Sequence, residues 1–125
     1  MEILLIGNSF PMNLITRDVI IKPKTVAELR KEIKIAEEIY SFWGHGNTVK
    51  IASNICGTDL NNKGNGIRRE RVSITSDGLP SFGGLFFREC WILTPEYVRS
   101  FRPEIGEEVA VDMIKKWRAL RMVWI

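Results

Sequence analysis

Apolar residues recur along this chain in several distinct patterns. Ile3-Leu4-Leu5-Ile6 is continuous, as in a strand buried on both faces, and ends in the polar turn Gly7-Asn8-Ser9-Phe10-Pro11. Val19-Ile20-Ile21 reads as a second strand, stopped by Pro23. Thr25 then has the form of an N-cap, with Glu28 completing a capping box, and Val26, Leu29, Ile33 and Ile35 carry a helix as far as Ile39. After Gly46, the residues Val49, Ala52, Ile55 and Cys56 recur at helical spacing, with Asn47 as N-cap and Gly57 as stop. Arg71-Val72-Ser73-Ile74-Thr75 alternates like a half-buried strand, 76–84 reads as a loop, and 85–93 as an aromatic, β-branched strand. Thr94-Pro95-Glu96 has the pattern of an N-cap with proline at the first helical position. The spacing predicts the longest helix over 104–120, with Val109, Met113, Ile114 and Trp117 on one face, and a last strand over 122–125. The sum is an α/β fold, a single domain over 1–125 with a small mixed β-sheet flanked by helices.

Composition supports that picture and narrows the partners. At 125 residues, 45% hydrophobic and 26% charged, the chain has the make-up of a globular protein with a real core. Its net charge of +3 suits an anionic ligand but lacks the dense basic face of a DNA duplex binder. Two cysteines are few for a secreted scaffold, so a reducing cytoplasm is expected. The opening apolar run is short and lacks a basic start, so no signal peptide is expected. No run approaches the ~20 apolar residues that cross a bilayer, so no membrane partner is expected. The absence of glutamine, with abundant Ile, Lys, Glu and Arg, leans towards a thermophile, while the many asparagines argue back.

The one histidine, His45, stands between Gly44 and Gly46 where a helix starts. Helix starts expose unpaired N–H groups and a partial positive charge, so they attract phosphate. Glycines allow close backbone approach. There a histidine can protonate a departing oxygen, an effect of ~10²–10⁴-fold. A surface or capping histidine is the competing reading. One histidine and two separated cysteines do not make a zinc set, and no Asp cluster suggests magnesium, so neither metal nor cofactor is expected. A Cys–His nucleophile is conceivable, but Cys56 lies on the apolar helical stripe and reads as core. Lys63, Arg68, Arg69 and Arg71 could grip a polyanion or form a solvated loop. Asn8, Ser9 and Asn13 lie beyond the first strand, where α/β sheets bind ligands, or simply form a turn. Arg88 and Glu89 interrupt an apolar strand and, as strand neighbours, point to opposite faces. Trp43, Trp91, Trp117 and Trp124 are stacking platforms or core.

Three stretches carry a resemblance. Asn8-Ser9-Phe10-Pro11-Met12-Asn13-Leu14, then Ser41-Phe42-Trp43-Gly44-His45-Gly46-Asn47-Thr48 running on to Cys56-Gly57-Thr58, then Glu70-Arg71-Val72-Ser73-Ile74, appear in order. They resemble motifs of the viral anti-CRISPR ring nucleases of type III systems, a family of archaeal viruses and mobile elements first catalogued as a domain of unknown function. The resemblance covers roughly 1–94. It implies a homodimer that cleaves cyclic tetra-adenylate on its two-fold axis without a metal. It also implies attack by a ribose 2′-hydroxyl that leaves a 2′,3′-cyclic phosphate. His45 matches the family's general acid, and Arg71 and Asn8 match ligand-binding positions. Ser9, Asn13, Gly44, Asn47 and Thr48 fall in the same matched stretches and are expected to bind ligand. The family's Gln-Arg-Leu-x-Glu-Gly segment, with a catalytic arginine and glutamate, is not reproduced. Aligning on Ile92-Leu93-Thr94 puts Glu89 on the glutamate and Phe86 on the arginine, with Arg88 as the substitute. Pro11 replaces a serine, for which Ser9 is the substitute. The alternatives are a non-catalytic sponge or sensor for such a ligand, and an interaction protein with no nucleotide ligand.

Overall fold

The computed structural model describes residues 3–42, 46–57, 72–98 and 114–125, and for 46–50 it describes the backbone alone. In chain order the elements are β1 (Ile3–Gly7), a 3-10 turn (Met12–Leu14), β2 (Val19–Lys24), α1 (Val26–Ile35) and β3 (Glu38–Phe42). They continue with α2 (Gly46–Cys56), β4 (Ser73–Ile74), β5 (Pro80–Phe82), β6 (Leu85–Phe86), β7 (Glu89–Tyr97) and β8 (Ile114–Trp124). A five-stranded mixed sheet has the order β2-β8-β7-β1-β3, and a three-stranded antiparallel sheet has the order β4-β5-β6. The α/β architecture read from the sequence is the one observed.

Each face of the large sheet is covered by a different layer, the usual way a sheet buries its apolar sides. On one face Leu4, Ile6, Ile39, Trp91, Leu93 and Ala119 meet Leu29 and Ile33 of α1 and Ala52 and Cys56 of α2. On the other, Leu5, Tyr40, Phe42, Cys90, Ile92, Met122 and Trp124 meet Phe10, Val72 and Phe82. The continuous apolar run of β1 is therefore a strand buried from both sides, as its pattern predicts.

Local chemistry explains the elements. Thr25 Oγ1 accepts from Glu28 N–H at 3.1 Å, and Glu28 Oε1 accepts from Thr25 N–H at 3.1 Å, forming the capping box that starts α1. The same backbone hydrogen bond lowers the pKa of Glu28, with Lys24 adding to the effect. The stability this gives is present above the ordinary glutamate range and is lost as pH falls through the lowered value. Gly57 ends α2 at φ 72°, a left-handed value that favours glycine. Gly83 and Gly84, at φ 58° and 79°, close the β5–β6 hairpin.

Several elements differ from the sequence expectation. The helix expected as far as Ile39 stops at Ile35, and 38–42 form β3, parallel to β1. The loop expected over 76–84 contains β5 and a Gly-Gly hairpin turn. The expected strand over 85–93 is broken near Arg88 into β6 and β7. Thr94-Pro95-Glu96 caps no helix: β7 runs through it, with Pro95 opposite Trp117. Beyond Ile92, β7 has outrun β1, so a missing N–H is tolerated on that free edge. The edge position of β2 likewise accommodates Pro23. Within the helix expected over 104–120, residues 114–120 are strand, and 104–113 lie outside the described residues. Lys and Arg suit a helix by propensity, but pairing with β7 on one side and β2 on the other overrides it.

A Cβ on Gly7 would lie 2.3 Å from Phe42 Cε2, so the phenyl ring occupies the space a side chain at position 7 would need. Phe42 is itself buried, with its ring 6.0 Å from that of Phe82, and has little room to retreat. Gly7→Ala is expected to destabilise by about 1–3 kcal/mol through overpacking, read as a lower urea midpoint. Phe42→Leu in the same chain should make the pair of changes cost less than their sum.

Candidate functional site

β1 pairs in parallel with both β3 and β7, so all three send their carboxyl ends to one edge of the sheet. Gly7 stands beside Phe42 on one side and Ile92 on the other. The chain leaves β1 across the face of the small sheet, where Phe10, Leu14 and Ile15 pack. It leaves β3 towards the opposite face, where α2 packs through Ala52 and Cys56. Adjacent parallel strands whose connections part to opposite faces leave a crevice at their carboxyl ends, the usual ligand site of open α/β sheets.

Asn8, half-buried, and Ser9, exposed, follow β1 directly into this edge. Asn13 is exposed in the 3-10 turn that comes next. Gly44 and His45 lie outside the described residues, in the short step between Phe42 and Gly46. The backbone of Asn47 and Thr48 belongs to the first turn of α2, which begins at Gly46, so Asn47 is inside the helix rather than its N-cap. That first turn presents amide groups with no partner within the helix and the positive end of its dipole. Arg71 also lies outside the described residues, and the residue after it, Val72, is buried in the small-sheet cluster.

A further feature of this edge is a projecting ribbon. β7 continues from Ile92 to Tyr97, an overhang of about 16 Å at the usual strand rise, and β8 pairs with it throughout. By strand alternation, Thr94 and Glu96 of β7 share a face with Ile92, as do their partners Arg118 and Lys116. Lys116 Nζ meets Glu96 Oε2 at 3.4 Å. Arg118 is exposed, opposite Thr94, and has no side-chain partner among the described residues. Reading 94–96 as a cap and 104–120 as a helix hid both Thr94 and Arg118. The available signal was the alternation of Leu120, Met122 and Trp124, which extends backwards as a strand.

Arg88 and Glu89 are elsewhere. Glu89 opens β7 at its amino end, and the step from Glu89 to Ile92, the neighbour of Gly7, is about 10 Å. The expected grouping of Arg88 and Glu89 with Asn8 is therefore not formed within one chain. The cause is that the parallel register brings Ile92, not Glu89, to the end of β1. Glu89 Oε2 instead accepts from Arg121 Nη2 at 2.5 Å and Nε at 3.2 Å. Both side chains are substantially solvated, so this pair contributes below about 1 kcal/mol.

Neither cysteine has the setting of a nucleophile. Burial pushes the Cys90 thiol well up, with the Glu89 charge adding to the effect. Burial also raises Cys56, against a smaller opposing effect of Arg30. Among the described residues, no three His, Cys, Asp or Glu are grouped to hold a metal ion, and no helix is long and apolar enough to cross a membrane. Comparison with models of known protein families gives no match, and none of the curated proteins compared matches the chain.

Because both free thiols are buried in their protonated form, neither should react with a thiol reagent at pH 8 until the protein unfolds. Unfolded thiols ionise near pH ~8.5, while the folded ones resist. The stability they contribute is therefore fully present below that pH and is lost as pH rises above it. Urea midpoints measured across that range should fall, and less steeply in Cys90→Ala.

Proposed function

We propose that this chain is a ring nuclease for a cyclic oligoadenylate, with cyclic tetra-adenylate as the first substrate to test. The observation that carries the reading is the parallel pairing of β1 with β3, which brings their carboxyl ends side by side at one edge of the sheet. Asn8 and Ser9 leave one of these strands, and the Gly44-His45-Gly46 step leaves the other. Two of the three stretches that resemble the ring nuclease family thus follow adjacent parallel strands, although they lie far apart in sequence, while the third runs into β4 of the small sheet. The first turn of α2, with Asn47 and Thr48, offers donors to a phosphate. Arg118, on the ribbon beside the crevice, supplies a guanidinium that can fork onto phosphate oxygens.

The chemistry follows from those roles. The ribose 2′-hydroxyl gives its proton to solvent water as its oxygen attacks the adjacent phosphorus in line and forms the O2′–P bond. The P–O5′ bond breaks, and protonated His45 gives its proton to the departing 5′-oxygen. The products are a 2′,3′-cyclic phosphate and a 5′-hydroxyl, and no metal enters the step. A two-fold symmetric ring suits an isologous homodimer with one site per subunit. Such a dimer would act in the cytoplasm to silence type III CRISPR signalling. Glu89 takes no part within its own chain, because it lies at the other end of β7. Among the described residues beyond Ile92, the arginine able to take the role expected of Arg88 is Arg118. Besides Arg118, the sequence after β7 offers Arg102 and Glu104, which lie outside the described residues.

The separation of Arg88 and Glu89 from the crevice is also what favours the second reading, a sponge that binds the ring without cleaving it. One experiment separates the two: labelled cyclic tetra-adenylate is incubated with the protein in excess chelator. The enzyme reading expects linear products with 2′,3′-cyclic phosphate ends, and a loss of ~10²–10⁴-fold in His45→Ala. It also expects near-unchanged turnover in Glu89→Gln and binding weakened roughly tenfold or more in Arg118→Gln. Tight binding without products would establish the sponge. Neither binding nor turnover would overturn both.

A further inference from the structure

The amino end of the sheet holds a second feature, separate from the crevice. β1 and β7 are joined through Ile6–Trp91 and Gly7–Ile92, although β1 begins at Ile3 and β7 at Glu89. On the amino side of Ile6 the two strands part. The gap is a cavity of about 330 Å³, lined by 3–5 of β1, by 85–89 and by Trp91. Over Ile3–Leu5, the β7-facing edge of β1 has no strand partner among the described residues, so backbone polar groups border the space.

The lining combines the aliphatic residues of β1 and Leu85 with three aromatic rings and the charged pair Arg88 and Glu89. Phe86 is 73% exposed at the cavity, an unusual position for a large apolar ring. Phe87 is half-buried, its ring 6.1 Å from that of Tyr40. Trp91 is buried, and its Nε1–H has no acceptor among the described residues. Glu89 is neutralised by Arg121, which leaves Arg88, exposed and without a side-chain partner among the described residues, as the cavity's net charge.

We propose that this cavity is a binding site for a small planar aromatic anion. Its ring lies against Phe86 and the Trp91 wall, and its anionic group lies on Arg88. The volume sits at the lower end of the ~300–1,000 Å³ typical of small-molecule sites, which suits one or two fused rings and excludes a cyclic oligonucleotide. Aromatic walls select a flat ligand, and a lone guanidinium selects a phosphate or carboxylate over a cation. The site is independent of the ring nuclease reading and stands or falls without it.

Phenyl phosphate titrated into the ¹⁵N-labelled full chain tests the proposal. The indole N–H resonance of Trp91 is assigned by its loss in Trp91→Phe. The expected result is a saturable shift of that resonance, weakened roughly tenfold or more in Arg88→Gln and roughly fivefold or more in Phe86→Ala. Both replaced side chains are exposed, so both variants should fold, as their urea midpoints will report. Benzamidine, similar in shape but opposite in charge, and inorganic phosphate alone should leave the resonance in place. An unmoved Trp91 resonance with phenyl phosphate, unchanged affinity in Arg88→Gln, or equal binding of benzamidine would overturn the proposal.

Discussion

The carboxyl edge of this sheet depends on one steric fact: Phe42 takes the volume that any side chain at position 7 would need. Gly7 and Phe42 are direct partners in the parallel register, so the ends of β1 and β3 lie at one level. From there the two chains part, one over the small sheet and one towards α2. The crevice between them is a consequence of that parting. Backbone register alone brings Gly7, just before Asn8, opposite Phe42, the last described residue of β3.

Register also divides the molecule into two chemical ends. Because Gly7 meets Ile92, the polar start of β7 is held back at the amino edge and its continuation projects beyond the crevice. One consequence is that Glu89 is committed to Arg121 rather than to any group near Asn8. Another is that the β7–β8 ribbon carries Thr94 and Arg118 alongside the crevice. A third is the cavity where β1 and β7 come apart, with Arg88 at its side. A single choice of pairing thus keeps Arg88 and Glu89 at the amino end of the sheet, beside that cavity.

β8 shows how tertiary pairing decides what local preference cannot. Its Lys and Arg residues favour a helix, and Ile114 and Trp117 fit a helical face. In the fold it lies between β2 and β7, so both its edges are paired, and its side chains alternate between the two cores. Trp117 and Ala119 face the helices, while Leu120, Met122 and Trp124 face the small sheet. The gain comes from partners distant in sequence, which no window of neighbouring residues contains.

The sequence by itself determined the elements whose causes are local. The doubly buried run of β1, the Thr25–Glu28 capping box, the helical stripe of α2 and its Gly57 stop are each written within a few residues. It also marked Asn8, Ser9 and the Gly44-His45-Gly46 step as chemistry at element ends. The tertiary structure decided what depends on pairing: β3 in place of a longer helix, β7 continuing through Pro95, and β8 in place of a helix over 114–120. It decided as well that Glu89 lies at the amino end of β7, away from Asn8 of the same chain, since that separation is set by the register between β1 and β7. Side-chain type declares what chemistry is available, but the hydrogen bonding of strands remote in sequence decides which groups can meet.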